Sequence, residues 1–355
     1  MKSALILGFG WAARELWVPA LATAGFGTFG VIDQHADMAA VTGKQIRRHE
    51  NVSGISSSAY DVAVVASPNA THSAVAAELL ERGLRVVVEK PICVSVDEFK
   101  LLQQAASNGG GELLRSCSSR YDPHLVEFRE HLQEVGLSKP TYVKVSWLRE
   151  NGIPNSPWHT QSQHAVAGSC LDLGWHLLES VMELVGYAPL QCLDAQFDCD
   201  PGTQGAGRAS WHRSDLQISS IDVDTMSEIS FTNENGVSVE LRTAWRSTMS
   251  GDRVTIEVGD STGFGRLTTL FGLSQSLSQV PNIESSVRGR KFLKELPPKA
   301  RGVAHARMVT DFVNGHFLPA NLGQSWEQLE SLAGAAQQIV ASHEVWRSSR
   351  VWGRK

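Results

Sequence analysis

Residues 3–13 read Ser-Ala-Leu-Ile-Leu-Gly-Phe-Gly-Trp-Ala-Ala, a short apolar run that passes through two glycines into a helical pattern. A strand handed to a helix by G-x-G-x-x-A leaves few folds open. Gly8 permits the tight turn, Gly10 lets a pyrophosphate approach the backbone, and Ala13 keeps the helix close to its sheet. Phe9, Trp11 and Ala12 complete the loop, and the helix start supplies amides and a positive dipole end. A chain with 31 glycines produces G-x-G by chance, so the surroundings decide. Asp33 closes the next apolar strand about 20 residues further on, where a carboxylate accepts hydrogen bonds from an adenosine ribose and repels a 2′-phosphate. The loop and Asp33 together predict a bound dinucleotide, NAD in preference to NADP. The neutral Gln34 tolerates either.

The alternation continues. Strand patterns at Ser3–Leu7, Thr28–Ile32, Asp61–Ala66, "LRVVVEKP" and "ELLRSC" are interleaved with helical patterns. The helices run to about Ala22 (with a bend expected at Pro19) and over "THSAVAAELLERG" and "VDEFKLLQQAA". Short buried strands joined by helices mean a parallel sheet with crossovers. Ligands bind at the carboxyl ends of such strands. Two of those ends carry Ser67-Pro68-Asn69, with His72 opening the next helix, and Glu89-Lys90-Pro91. On composition alone, Lys90 is a solvated lysine and His72 a plain helix-start residue.

After Pro140 the pattern changes to strands in a row: "TYVKVSWL", "PLQCLDAQFD", "MSEISFTNENGVSVELRTAW" and "RVTIEVGDSTGFGRLTTLF". Asn235-Gly236 is a hairpin signal, and hairpins in series mean an antiparallel sheet. Two helices close the chain, near Ala304–Asn314 and Ser325–Arg347, while Pro201–Asp215 and Gln275–Arg301 read as long loops. The expected division is 1–122 and 123–355, and 355 residues suffice for a core in each part.

A net charge of -5 lacks the basic footprint of a nucleic-acid binder, so no nucleic-acid partner is expected. The five cysteines form no C-x-x-C pair, which argues against a disulfide framework or structural zinc and for a reducing cytoplasm. His159, His164 and His176 lack recognisable ligand spacing, and no metal is expected. Arg14 and Glu15 cut short the apolar start that would otherwise resemble a signal peptide. No run of about 18 apolar residues suggests a membrane span.

Within Cys170-Leu171-Asp172-Leu173-Gly174-Trp175-His176-Leu177-Leu178, an acid and an imidazole stand four residues apart. On one helix they share a face, and Glu179 and Glu183 continue it. The stripe reads equally as the solvent side of an amphipathic helix. Gly174 costs about 1 kcal/mol inside a helix, so a compensating close approach is expected there. Trp158 and His159, in the preceding loop, are candidates to stack on or bond a sugar, against plain loop packing. Cys170 reads as packed rather than nucleophilic, and the basic tail of Arg347, Arg350, Arg354 and Lys355 as solvated.

The glycine loop, Ser67-Pro68-Asn69 with His72, Glu89-Lys90-Pro91, and Asp172-Leu173-Gly174-Trp175-His176 with Glu179 occur in an order that resembles the glucose–fructose oxidoreductase / inositol dehydrogenase / rhizopine-catabolism family (Gfo/Idh/MocA). "SRYDP", Ser119 to Pro123, and the closing helices also resemble it. The resemblance implies an α/β fold: an N-terminal Rossmann domain followed by an α+β domain with an open-faced, mostly antiparallel sheet. That sheet's outer face would make a homodimer or homotetramer, and the last helices would pack back toward the first domain. The resemblance also implies that Lys90, Asp172 and His176 carry the chemistry beside a nicotinamide, with Arg120 and Tyr121 as further substrate candidates. In that chemistry His176 serves as base, or acid in reverse. Lys90 holds the reacting oxygen, and Asp172 orients a hydroxyl or keeps the pair polarised. One departure is Ala167-Gly168-Ser169-Cys170, where the family often has a glycine-rich run.

The implied activity is an NAD(P)-dependent dehydrogenase or ketoreductase acting on a secondary alcohol of a sugar, cyclitol or aminosugar. A C=N reductase, a glycosidase that uses bound NAD, and a non-catalytic dinucleotide-binding regulator are the alternatives on the same fold. The presence of Lys90, Asp172 and His176 weighs against the regulator.

Overall fold

The computed structural model describes residues 2–34, 45–56, 58–116, 118–200, 209, 221–271, 280–300, 302–313 and 322–350. Two compact units emerge. One comprises Met1–Ser118 with Gly302–Ala333, the other Ser119–Arg301 with Gly334–Lys355.

In the first unit, β1 (Lys2–Leu7), β2 (Phe26–Ile32), β3 (Gln45–His49), β4 (Val62–Val65), β5 (Arg85–Val88) and β6 (Glu112–Arg115) form one sheet in the order β3-β2-β1-β4-β5-β6. Every pairing is parallel, which is the Rossmann arrangement. The burial of all four β4 residues reflects helices on both faces. A π-helical turn at Ala13–Trp17 leads into α1 (Val18–Thr23), where Val18 N–H donates to Ala13 O. The irregularity expected at Pro19 therefore takes the form of a widened turn just upstream of it. Helices α2 (His72–Glu81) and α3 (Val96–Gly109) follow. Ser95 caps α3 by accepting from Glu98 N, and Gly110 at φ 71 ends it. The edge strand β3, "QIRRH", has no apolar alternation and so gives no strand signal of its own.

The second unit contains α4 (Pro123–Glu134), β7 (Tyr142–Leu148), α5 (Pro157–Thr160), α6 (Ser162–Ala165), α7 (Ser169–Asp172) and α8 (Gly174–Val185). Then come β8 (Leu190–Asp198), β9 (Met226–Asn233), β10 (Ser238–Ala244), β11 (Arg253–Asp260), β12 (Gly263–Thr269), β13 (Asn282–Val287) and β14 (Arg290–Glu295). The sheet order is β14-β13-β12-β11-β7-β10-β9-β8. Only β7 and β10 pair in parallel, so the sheet is mostly antiparallel, as expected. Val143, Val145 and Trp147 of β7, Val239 and Leu241 of β10, and Val254 and Ile256 of β11 are buried, and α8 packs against β7 and β10. The opposite face is not apolar. It carries the cross-strand ion pairs Lys144–Glu240, Arg242–Glu228 and Arg266 with Glu257 and Glu284.

Helix α9 (Val303–Val313) packs on α1, and α10 (Leu322–Ser349) closes the fold. The expected loop at 275–301 is corrected by β13 and β14. Arg288 (φ 49) and Gly289 (φ 77) make their two-residue turn with both central residues at positive φ, as tight hairpins require. The expected loop at 201–215 lies outside the described residues apart from Ala209. Helix α4 went unread although its start signal is plain: Asp122 accepts from His124 N and Leu125 N, and Pro123 takes the first helical position. Among the described residues no helix is long and apolar enough to cross a membrane.

Candidate active site

The first unit builds its site at the carboxyl ends of β1, β2, β4 and β5. Gly8 sits at φ 85, and its N–H donates to Ile32 O. A Cβ there would stand 2.5 Å from Ala66 O, so both the turn and the closeness of β4 demand glycine. Gly10 differs: a Cβ there would have nothing of the protein within 4 Å. That free space, directly ahead of a helix start, fits the pyrophosphate of a dinucleotide. Asp33 does more than expected. Its Oδ2 accepts from Phe9 N at 2.6 Å, tying the glycine loop to β2. Arg48 donates to the carbonyls of Asp33 and Gln34.

Ser67 Oγ and Thr71 Oγ1 stand 2.7 Å apart over the turn that contains Pro68 and Asn69. His72 is buried, its Nδ1 2.7 Å from Pro91 O and its Nε2 2.7 Å from Ser67 O. It is a strut between the two strand-end loops rather than a surface ligand. Burial pulls its pKa down, and the two carbonyls oppose that. Glu89 is also buried. It accepts from Trp17 Nε1 (2.7 Å) and from Lys90 N (2.9 Å), and so fixes the backbone from which the half-buried Lys90 projects.

In the second unit, α7 ends at Asp172 and α8 begins at Gly174, with Leu173 between them still in the right-handed helical region (φ -89, ψ -37) and accepting from Leu177 N. Asp172 Oδ2 accepts from Trp245 Nε1 at 2.9 Å, and Arg149 Nη1 stands 4.0 Å away. Arg149 lies 4.9 Å over the ring of Trp147, and His176 lies 5.7 Å from the same ring. Burial lowers the Arg149 pKa while Asp172 and Asp252 raise it; an arginine stays charged regardless. The ends of β7 and β10 thus deliver a cation and two indoles to the acid that ends α7.

The solvent-face alternative for the stripe does not hold. Glu179 has no exposure and accepts from Trp175 Nε1 and Ser119 Oγ. The Glu183 side chain, 5% exposed, pairs with Arg120 and Arg129. Arg120 is therefore engaged by Glu183, with Tyr121 ending the same short turn. The close approach expected at Gly174 falls elsewhere. A Cβ at Gly174 would meet only ordinary contacts at 3.6 and 3.8 Å, whereas one at Gly168 would stand 1.9 Å from Asp224 O. Trp158 is 42% exposed and edge-on to His164, and His159 Nδ1 is 2.7 Å from Ser156 Oγ. Cys170 is buried beside Asp224, and burial pushes its thiol pKa up, the opposite of an activated nucleophile. Arg149, Trp245 and Asp224 had no local sequence signal. Among the described residues no group of His, Cys, Asp and Glu could hold a metal ion.

Residues 2–114 match the model of an oxidoreductase family described as having an NAD-binding Rossmann fold. A putative UDP-kanosamine synthase oxidoreductase subunit of Amycolatopsis mediterranei (strain S699) is 32% identical over 343 residues, covering 96% of this chain and 95% of the relative. The D-glucoside 3-dehydrogenase of Escherichia coli (strain K12) is 26% identical over 144 residues, 41% of each chain. Among solved structures, a 3-ketoreductase from Actinomadura kijaniata, crystallised with NADP and TDP-benzene, superposes with a TM-score of 0.72. That likeness covers 95% of this chain and 97% of the other at 16% identity, and it concerns the fold.

Proposed function

The chain belongs to the Gfo/Idh/MocA oxidoreductase family, and we propose that it oxidises the C3 hydroxyl of a nucleotide-activated hexose with NAD. The observation that carries this is the full-length likeness to the UDP-kanosamine synthase oxidoreductase subunit. Kanosamine bears an amine where glucose has its C3 hydroxyl, and an alcohol must become a ketone before transamination can replace it. The product would therefore be a 3-keto sugar passed to an aminotransferase partner. The likeness to a D-glucoside 3-dehydrogenase supports the same ring position.

NAD held at the glycine loop would supply the hydride acceptor. The protein's own part is to position the alcohol and move its proton. His176 takes the hydroxyl proton, Lys90 hydrogen-bonds to the oxygen as it gains negative charge, and Asp172 accepts from a neighbouring hydroxyl. Trp245 and Arg149 support Asp172 in that role: a fixed donor and a cation hold the carboxylate as an acceptor. Gly8, Phe9, Gly10, Trp11, Ala12 and Ala13 line the dinucleotide, with Ser67, Pro68 and Asn69 at the next strand end. His72 and Glu89 brace that ground from behind. The free thiols of Cys93, Cys170, Cys192 and Cys199 support a cytoplasmic setting.

The test is a panel of UDP-hexoses, free sugars and ketones with NAD and with NADP, read at the nicotinamide absorbance band. UDP-glucose oxidation with NAD preferred is the expected outcome, and Asp33→Ser is expected to narrow or reverse that preference. A wild type that prefers NADP overturns the role of Asp33. No turnover of any sugar while NAD still binds turns the assignment to the regulator.

We propose assembly as a homodimer or homotetramer through the outer sheet face. Its ladder of charges of both signs makes a self-complementary contact that weakens as salt rises. Light scattering at micromolar protein is expected to give at least the dimer mass at low salt. A monomer under those conditions contradicts it.

A further inference from the structure

We propose that Asp222 and Asp224 are positioning residues that clamp the connection 160–170 at both ends and thereby hold Asp172 where it meets the substrate. This rests on the role given to Asp172 above.

The two carboxylates occupy alternate positions of one segment, Asp222-Val223-Asp224. The upstream grip is made by Asp222. Its N–H donates to Thr160 O, which ends α5, while Ser162 N (2.7 Å) and Ser162 Oγ (2.8 Å) donate to its carboxylate. The downstream grip is made by Asp224, which has no exposure at all. Its Oδ1 accepts from Gly168 N at 2.8 Å, and its Oδ2 from Cys170 N at 2.9 Å and Ser169 Oγ at 2.7 Å. Its carbonyl accepts from Ser169 N. Every one of these donors lies in the turn that opens α7, and α7 ends at Asp172.

Between the grips stands Val166 at φ 70, ψ -58. A β-branched residue at positive φ is strained, and such strain persists only where the surroundings over-determine it. The clamp supplies that constraint. The same segment also reaches Asp172 by a second route. Trp245 N donates to Thr225 O, and the Trp245 indole donates to Asp172 Oδ2. Ser169 Oγ and Thr243 Oγ1, 2.9 Å apart, join the two routes. Asp224–Thr225 thus holds both the helix that carries the acid and the indole that bonds to it.

A carboxylate is needed at both positions because each oxygen accepts from its own donors, and an amide offers only one acceptor oxygen. Asp224→Asn is expected to lower kcat about 100-fold, the scale of a misplacement near 1 Å, with KM and NAD affinity little changed. Asp222→Asn governs the stretch next to Trp158 and His159, and is expected to raise the sugar KM about 10-fold at near-native kcat. A purely structural role would lower the melting temperature without this split.

The indole N–H resonance of Trp245, assigned by its loss in Trp245→Phe, reports the same coupling without any substrate. It is expected to shift in Asp224→Asn and in the milder Ser169→Ala, which serves if the first variant fails to fold. An unmoved resonance with native kcat in the folded variant overturns the clamp. A moved resonance in a protein whose wild type oxidises no sugar supports the clamp and overturns the proposed substrate instead.

Discussion

Lys90→Ala and His176→Ala are each expected to bind NAD as the wild type does and to lose turnover about 10²–10⁴-fold, the usual contribution of a positioned acid–base group. The separation follows from where each residue stands. Lys90 projects from a backbone that Glu89 fixes just after β5, on a different strand end from the loop amides at Gly8–Ala13. His176 opens α8 against Trp147. Neither residue has a claim on the adenosine end. If both act on one oxygen, the double variant loses less than the product of the single losses. Asp172→Asn is expected to be milder if the residue only orients a hydroxyl, and as severe if its charge supports His176. Turnover on the best sugar, with cofactor affinity from titration of NADH fluorescence, checks each case. Near-native turnover in both alanine variants would remove Lys90 and His176 from the chemistry.

Two alanines in the glycine loop are expected to fail in different ways. Gly8→Ala puts a Cβ 2.5 Å from Ala66 O and 2.6 Å from Ser67 N, at a φ of 85 that disfavours any side chain. Those atoms are backbone at the end of β4 and cannot rotate away. Left-handed strain and overpacking together cost about 2–4 kcal/mol, a fall in melting temperature of about 5–15 °C, and NAD binding is lost with the loop. Gly10→Ala meets nothing of the protein, so it is expected to melt as the wild type does yet bind NAD at least about 10-fold more weakly, because its Cβ occupies the space left for the pyrophosphate. Thermal melts paired with NAD titrations separate the two. Unchanged NAD affinity in Gly10→Ala would show that the cradle lies elsewhere.

Much of the first unit was legible because its signals are local. A strand, a glycine turn and a helix announce themselves within about 15 residues by period and turn chemistry, and β1, β2, β4, β5, β6, α2 and α3 all lie where the alternation put them. Three strands were missed: β13, whose buried Ile283 and Val287 are separated by polar residues, and two edge strands without an apolar period. β3 is "QIRRH", and all six residues of β14 are exposed. At an edge a strand can be held by backbone pairing alone, which leaves no mark on side-chain pattern.

The groups available can be read from the chain alone: a dinucleotide loop, an acid at the end of β2, a lysine after β5, and an aspartate and a histidine four residues apart. What holds each of them follows from contacts made in the folded chain. Glu179 and Glu183 look like a solvent stripe on a helical wheel, yet Ser119, Arg120 and Arg129 bury and pair them. His72 and Glu89 look like ligands, yet they brace loops from behind. Asp172 looks like half of a pair with His176, and the fold also brings it an indole donor and a guanidinium, from Trp245 and Arg149, 73 residues later and 23 residues earlier in the chain. Periodicity says which side of an element is polar. Whether that side meets water, a cation or an indole depends on burial against residues distant in sequence, and burial arises only when the sheet closes and its strand ends come together.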